Sequence, residues 1–306
     1  MKVLIAGGSG SLGQALAGPL ASRGDDVVVL SRHPDPSRGP ASVREVRWSP
    51  SGPGNGAWRR EVEGADAIVN LTGAGIADKR WTAARKRVLR SSRLEPTRAL
   101  VDAVRDASHR PRVFVQGSGI NCYGSTLDDA TFDESSPPGD DFMGRTCVDW
   151  EAEARPVEAL GVRLVLMRTS PVLMGEGGVL EQMARPFRFF AGGRVASGRQ
   201  YFPWIHVDDW VAMTIWALDT PSVSGVLNAT SPEPVTNAEF SRTLARTLRR
   251  PNWAPVPGVV LKLLFGELAE PLLIRGLRAM PARPLELGFQ FRHPTIAGAL
   301  EDLLRS

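Results

Sequence analysis

Three evenly spaced glycines, Gly7, Gly10 and Gly13, follow the apolar run Lys2-Val-Leu-Ile-Ala6 and precede Gln14-Ala-Leu16. A strand that breaks into a glycine turn and then opens a helix lets the backbone turn tightly and approach a pyrophosphate closely. The first helical amides, those of Ser11, Leu12 and Gly13, would face that anion. A second apolar run starting at Val27 lies about twenty residues on, the separation expected for a dinucleotide site, and it ends in Ser31-Arg32-His33. An acid at this point would take the ribose 2′-hydroxyl of NAD, but the next acid, Asp35, lies beyond Pro34. An arginine fork suits a 2′-phosphate, and such a charge-assisted contact is worth roughly 1.5–3 kcal/mol, or about ten- to a hundred-fold in affinity. Ser31 and Arg32 therefore predict NADP(H) as the cofactor; the competing reading is an arginine that is simply solvated.

The remaining reactive side chains are few. Cys122 and Cys147 have neither metal-ligand spacing nor the pattern of a disulfide framework, and buried inert thiols are expected. His206 precedes a helical segment that Asp208 is placed to cap, and a structural imidazole is favoured over a substrate contact. Asp140 and Asp141 precede another helix and suit its N-terminus. His33 and His109 are expected to be exposed, with His293 in a turn before Pro294. No metal-ligand cluster and no Gly-x-Ser-x-Gly elbow is present, which argues against a zinc enzyme and an α/β-hydrolase.

At 306 residues the chain is long enough for a full dinucleotide-binding core and a smaller lobe. A hydrophobic content of 42% and a charged content of 23% are those of an ordinary globular protein. No apolar stretch reaches membrane-span length, and the chain opens on strand and glycine turn, so neither a membrane partner nor a signal peptide is expected. The paucity of cysteine suits the cytoplasm. The net charge of +4 raises nucleic-acid binding, but only Lys2, Lys79, Lys86 and Lys262 are lysines, and the arginines are spread along the whole chain. A small-molecule substrate, no nucleic acid, and a monomer or homodimer are therefore expected.

The elements that would position these groups alternate. Strands are predicted near 2–6, 26–31, 43–48, 66–71, 112–117 and 162–168, and helices near 11–23, 79–107 (broken at Pro96) and 142–160. The loop 49–57 is turn chemistry. Beyond 168 the alternation decays into helical patterns near 207–219, 237–249, 257–280 and 295–304. This is an α/β chain: a Rossmann-type doubly wound parallel sheet with a smaller, mainly helical C-terminal substrate lobe. Residues 1–170, with 204–230 returning, form the NADP-binding domain; 171–203 and 231–306 form the lobe. Within 257–280, the apolar stripes Val259, Val260, Leu263, Leu264 and Leu272, Leu273, Ile274, Leu277 are read chiefly as core. A substrate lining or a dimer surface is the alternative.

Several ordered blocks resemble the extended and atypical short-chain dehydrogenase/reductase superfamily, and more narrowly its YfcH-like subgroup of predicted nucleoside-diphosphate-sugar epimerases. They are Gly7 to Gly13 with Ser31-Arg32, Asn70-Leu-Thr-Gly73, Arg80-Trp81-Thr82 with Ser92-Arg93-Leu94, Gly117-Ser118 with Tyr123-Gly124, Cys147-Val-Asp-Trp150-Glu151, and Phe202-Pro-Trp-Ile-His206-Val-Asp208. Residues from about 250, with Leu287-Gly288-Phe289 and Phe291, resemble the subgroup's own C-terminal domain. The resemblance implies NADP(H) at the strand ends, with Leu71, Thr72 and Gly73 beside the adenosine ribose and Arg93 near the cofactor. It also implies that Arg168-Thr169-Ser170-Pro171 lies by the nicotinamide and that Ser118 occupies the catalytic Ser/Thr position. A sugar-nucleotide substrate follows from the subgroup's name alone.

The superfamily usually adds a tyrosine and, four residues later, a lysine that lowers the phenol's pKa from about 10. Here neither Tyr123 nor Tyr201, the only tyrosines, has a lysine four residues on. Matching Met143-Gly-Arg-Thr-Cys147 and Glu151 to that pattern puts Met143 at the tyrosine and Cys147 at the lysine. Methionine donates no proton and a thiol carries no fixed positive charge. Tyr123, five residues after Ser118, is the candidate replacement donor. Ser118 and Tyr123 are accordingly the expected catalytic pair of an oxidoreductase or epimerase. The alternative is an NADP(H)-binding sensor or interaction protein without turnover.

Overall fold

The computed structural model describes residues 1–35, 43–50, 56–127 and 129–305; most of the predicted 49–57 loop lies outside them. The central sheet is built from β1 (Lys2–Ala6), β2 (Asp26–Ser31), β3 (Val43–Arg47), β4 (Ala67–Asn70), β5 (Val113–Gly119), β6 (Arg163–Thr169) and β7 (Gly225–Ala229). All neighbours are parallel, in the order β3-β2-β1-β4-β5-β6-β7. The chain winds outward from β1 to β3, then reverses and continues from β4 on the other side of β1. That reversal opens a crevice at the carboxyl ends of β1 and β4.

The strands are apolar on both faces because helices cover both. Val3, Ile5, Val27, Val29, Val113 and Val115 pack toward α1 (Ser11–Ser22), where they meet Leu16 and Leu20. Leu4, Ala6, Val28, Leu30 and Phe114 pack on the opposite face, against Leu100 and Val104 of α2 (Ala83–Asp106) and Ala154 of α3 (Phe142–Ala154). The period of two thus splits each strand between two cores.

The predicted break at Pro96 does not occur. α2 runs through it, with Leu89, Leu94, Leu100, Val101 and Val104 all buried. A mid-helix proline costs about 3 kcal/mol, and burial of this long apolar stripe outweighs it.

After β6, α4 (Gly178–Arg188), α6 (Asn237–Leu248) and α8 (Ile296–Arg305) form a third core around Trp204, Phe240, Leu244 and Leu300. Between these helices in sequence, α5 (Val207–Asp219) returns to the sheet through Trp210 and Met213. The helical pattern read over 257–280 resolves into a short helix, α7 (Gly258–Phe265), followed by irregular turns. Gly266, at φ +66°, ends it. The stripe is not core: Val259 and Leu263 are 70% and 71% exposed, and of α7 only Leu261 is buried. Leu277, by contrast, packs with Ile120 and Tyr123. Among the described residues no helix is long and apolar enough to cross a membrane.

Candidate functional site

The chain assembles the site at the carboxyl edge of the parallel sheet. Gly7 leaves β1 at φ +78°, a left-handed conformation that favours glycine, and a Cβ there would lie 2.9 Å from the Leu71 carbonyl carbon at the end of β4. A Cβ on Gly13 would sit 2.3 Å from Gly8 Cα, so helix and turn meet at backbone contact. Above the start of α1 the space is open: a Cβ on Gly10 would find only Gly7 O, at 3.4 Å. Gly10 caps the helix without a side-chain bond, and no acid occupies its first turn. The amides of Ser11, Leu12 and Gly13 are left for an outside acceptor.

Ser31 is buried at the end of β2, its Oγ accepting from His33 N at 3.3 Å, while Arg32 is exposed. At the end of β4, Asn70 is fully buried and donates Nδ2 to Thr97 Oγ1 (2.8 Å) and Gln116 Oε1 (2.9 Å). Its Oδ1 accepts from Thr72 Oγ1 at 2.7 Å, which fixes the Leu71-Thr72-Gly73 turn. Thr97 Oγ1 also accepts from Trp150 Nε1 at 3.0 Å, tying α2 to α3. Pro171 follows β6, and its carbonyl accepts from Ile205 N at 3.2 Å.

Ser118 closes β5 and donates to Glu151 Oε1 at 2.7 Å. Arg168 of β6 grips the same carboxylate with two bonds, at 2.8 and 2.9 Å. All three side chains are buried, and charge pairing of this geometry offsets much of the desolvation of the two ions. The Arg168 guanidinium lies 4.9 Å from the centre of the Tyr123 ring, and Tyr123 donates its hydroxyl to Asn228 Oδ1 at 2.8 Å. Burial pushes the phenol up to about 12 despite the nearby guanidinium, so Tyr123 holds its proton. Proton donation from Tyr123 to a substrate requires the Asn228 bond to open. The Glu134 carboxylate accepts from the amides of Asn228 (2.8 Å) and Arg283 (3.1 Å).

Met143 packs with Trp81, Leu89 and Leu268, and Cys147 sits beneath Gly119, Sγ 3.8 Å from its carbonyl oxygen. Burial raises Cys147 to about 11 and Cys122 to about 12, with the Glu151 carboxylate adding to both; these are protonated, inert thiols. A cavity of about 410 Å³ opens between this loop and the C-terminal residues, lined by Trp81, Tyr123, Phe142, Asp140, Glu267 and Arg275. Asp141 caps α3, its Oδ1 accepting from Gly144 N at 2.7 Å.

The resemblance sets Arg168 by the nicotinamide and Glu151 in one of its blocks, but their pairing with Ser118, and the partners Asn228 and Glu134 from further elements, are not evident from sequence. At the start of α5 the cap is His206, not Asp208: Nδ1 accepts from Asp208 N at 3.0 Å. The fold also brings His206, Asp208 and His293 together, a grouping the sequence does not suggest. The two imidazoles are stacked, centroids 3.7 Å apart and planes tilted 21°. Of the His206 ring only Nε2 is left for another partner, since Nδ1 accepts from the Asp208 amide.

Residues 3–229 match the NAD dependent epimerase/dehydratase family, and residues 256–303 match a domain of unknown function, DUF1731. The epimerase family protein Mb2239 of Mycobacterium bovis is 40% identical over 97% of this chain and 96% of its own length. The crystal structure of human epimerase family protein SDR39U1 (isoform 2) with NADPH superposes with a TM-score of 0.88, at 34% identity and full coverage of both chains (100% and 100%). A nucleoside-diphosphate sugar epimerase from Corynebacterium glutamicum gives a TM-score of 0.80 at 29% identity, covering 99% of this chain and 58% of that one.

Proposed function

The chain belongs to the NAD dependent epimerase/dehydratase family, and from that membership we propose that it is an NADP(H)-dependent enzyme acting on a carbinol or carbonyl carbon of a small molecule. The reaction is a net reduction or an epimerisation with a transient oxidised state, and a sugar nucleotide is one substrate of fitting chemistry.

The residues present suit an anionic dinucleotide. The open glycine turn and unpartnered helix amides would hold the pyrophosphate, and Arg32 the 2′-phosphate. Leu71, Thr72 and Gly73, held by the Asn70 network, would line the ribose, with Pro171 at the nicotinamide end. Bound NADP(H) would supply the hydride carrier at nicotinamide C4. The protein's part is orientation and a proton route. Ser118, held by Glu151 at 2.7 Å, keeps its lone pairs for a substrate hydroxyl, and Glu151 is the acceptor behind it. Tyr123 carries a proton that its pKa of about 12 keeps in place.

The observation that carries this reading is the buried Ser118–Glu151–Arg168 array, whose guanidinium packs on the ring of Tyr123, itself a lining residue of a cavity large enough for a metabolite. Ser118→Ala and Tyr123→Phe are expected to lower turnover while leaving NADPH affinity nearly unchanged, as read by titration alongside a turnover assay. Equal loss of binding and turnover would sink the assignment of roles. A second reading, an NADP(H)-responsive binding protein, is favoured by the packing of Met143 and Cys147 where a Tyr/Lys pair would stand. In that case both variants are silent and Arg32→Asp alone abolishes response.

A further inference from the structure

Two turns that meet at the surface present aromatic side chains to solvent. Phe189 and Phe190, at the end of α4, are 72% and 57% exposed, and Trp253, past the end of α6, is 69% exposed. The two turns are built together. Trp253 Nε1 donates to Phe190 O at 2.9 Å, and the amides of Trp253 and Ala254 donate to Gly192 O at 3.1 and 3.0 Å. Phe190 stands at φ +60°, a left-handed conformation that disfavours a bulky residue, yet the fold holds its ring outward there.

The surrounding segments are basic. Residues 182–199 and 240–256 contain no acid. They carry Arg185, Arg188, Arg194, Arg242, Arg249 and Arg250, all exposed, and none of these forms an ion pair among the described residues. The Arg250 guanidinium lies 4.6 Å from the centre of the Phe190 ring. A cavity of about 370 Å³ beside Trp253 is lined by Arg194, Arg242 and Asn252. The flanking acids, Glu181 and Glu239, do not line it, so it offers donors and positive charge to a phosphate.

Exposed rings inside an arginine rim suit a partner that has anionic charge at its surface and an apolar layer behind it. A second copy of this chain fits poorly, because a two-fold contact would press the same arginines against each other. Nucleic acid fits less well, since bases stack on open ring faces. Arg250 lies over the Phe190 ring, and the one donor of Trp253 is spent inside the protein. We propose that the Phe189–Phe190–Trp253 surface docks on an anionic phospholipid bilayer. The rings enter the boundary between headgroups and acyl chains, the arginines pair with phosphates, and one headgroup phosphate seats between Arg194 and Arg242. The association is peripheral, so it needs no spanning helix.

The full-length protein is mixed with vesicles of phosphatidylcholine alone, or of phosphatidylcholine and phosphatidylglycerol in equal parts. Binding is read by co-sedimentation and by tryptophan emission, to which Trp253 contributes the one exposed indole. The wild type is expected to sediment with the anionic vesicles alone, and less so as salt rises. Its emission should shift to the blue, and Trp253→Phe should abolish the shift. Phe189→Ser/Phe190→Asn, whose asparagine tolerates the left-handed position, should lose about ten-fold in vesicle affinity. Arg188→Gln and Arg250→Gln should lose about five-fold each. All of these side chains are exposed, so each variant should melt with the wild type. A wild type that ignores anionic vesicles, or binds neutral ones equally, overturns the proposal. So does an aromatic double variant that binds as the wild type does, which marks basic adhesion without insertion. Three results obtained without vesicle binding also overturn it, each naming another occupant. Capture of a single-stranded oligonucleotide marks a nucleic-acid surface, and saturation by inorganic phosphate marks a free-phosphate pocket. A wild-type dimer that the aromatic variant splits marks an interface between copies.

Discussion

At the end of β2 the backbone places Ser31 inside and Arg32 outside, one residue past the strand. In the proposed function Arg32 stands where an acid would accept from a ribose hydroxyl and presents a fork of donors to a 2′-phosphate. Arg32→Ala is therefore expected to weaken NADPH binding about ten- to a hundred-fold while leaving NADH binding close to unchanged. Parallel titrations with the two cofactors check this; equal losses for both would place Arg32 outside the phosphate site. The glycine turn between β1 and α1 is legible in sequence because its geometry depends on immediate neighbours. The Ser118–Glu151–Arg168 array is not, since its members come from β5, α3 and β6 and meet only after the sheet forms.

The elements follow the same division. The first six sheet strands and α1 fall within a residue or two of their sequence-read limits, since strong apolar periodicity and local turns define them. Pro96 misleads because the local rule ends a helix where tertiary burial sustains it. The 257–280 segment misleads because its helical apolar pattern is interrupted at Gly266 and left on the surface. The cap of α5 was assigned to the common residue type, aspartate, whereas an imidazole nitrogen does the work. That cap has a pH consequence. His206 is 1% exposed, and burial, followed by the neighbouring His293, lowers its pKa below the ordinary value; Asp208, Asp302 and Asp209 pull the other way. Its Nε2 lies 3.2 Å from Asp302 Oδ2, outside hydrogen-bond geometry. The unfolded chain protonates at about 6.5 and the folded chain lower. The contribution of His206 is thus fully present above both values, and stability falls as pH drops through the unfolded value toward the folded one. Melting temperatures between about pH 7.5 and 5.5 should drop more for the wild type than for His206→Asn. Parallel curves for the two proteins would show that His206 is not the titrating group.

Across the whole molecule, two cores on opposite faces of the sheet support the crevice at its carboxyl edge, and a third packs α4, α6 and α8 together. The loop after β5 joins them: Thr131–Phe132 pairs with Arg278–Ala279, and Glu134 bonds Asn228 and Arg283. Tyr123 is held on this seam, so the candidate proton donor and the wall of the cavity are fixed by the same contacts. In the proposed function a hydride passes between NADP(H) and a small molecule in that cavity. The direct measurement offers the protein NADPH deuterated at C4, each stereoisomer in turn, together with a metabolite extract, and follows the label by mass spectrometry. A parallel arm loads the protein with NADP⁺ and watches for reduced cofactor. Label from one stereoisomer is expected to enter one metabolite, or the bound NADP⁺ to be transiently reduced, in either case lost in Ser118→Ala. Tight NADPH binding with no label transferred and no change in cofactor redox state would contradict it.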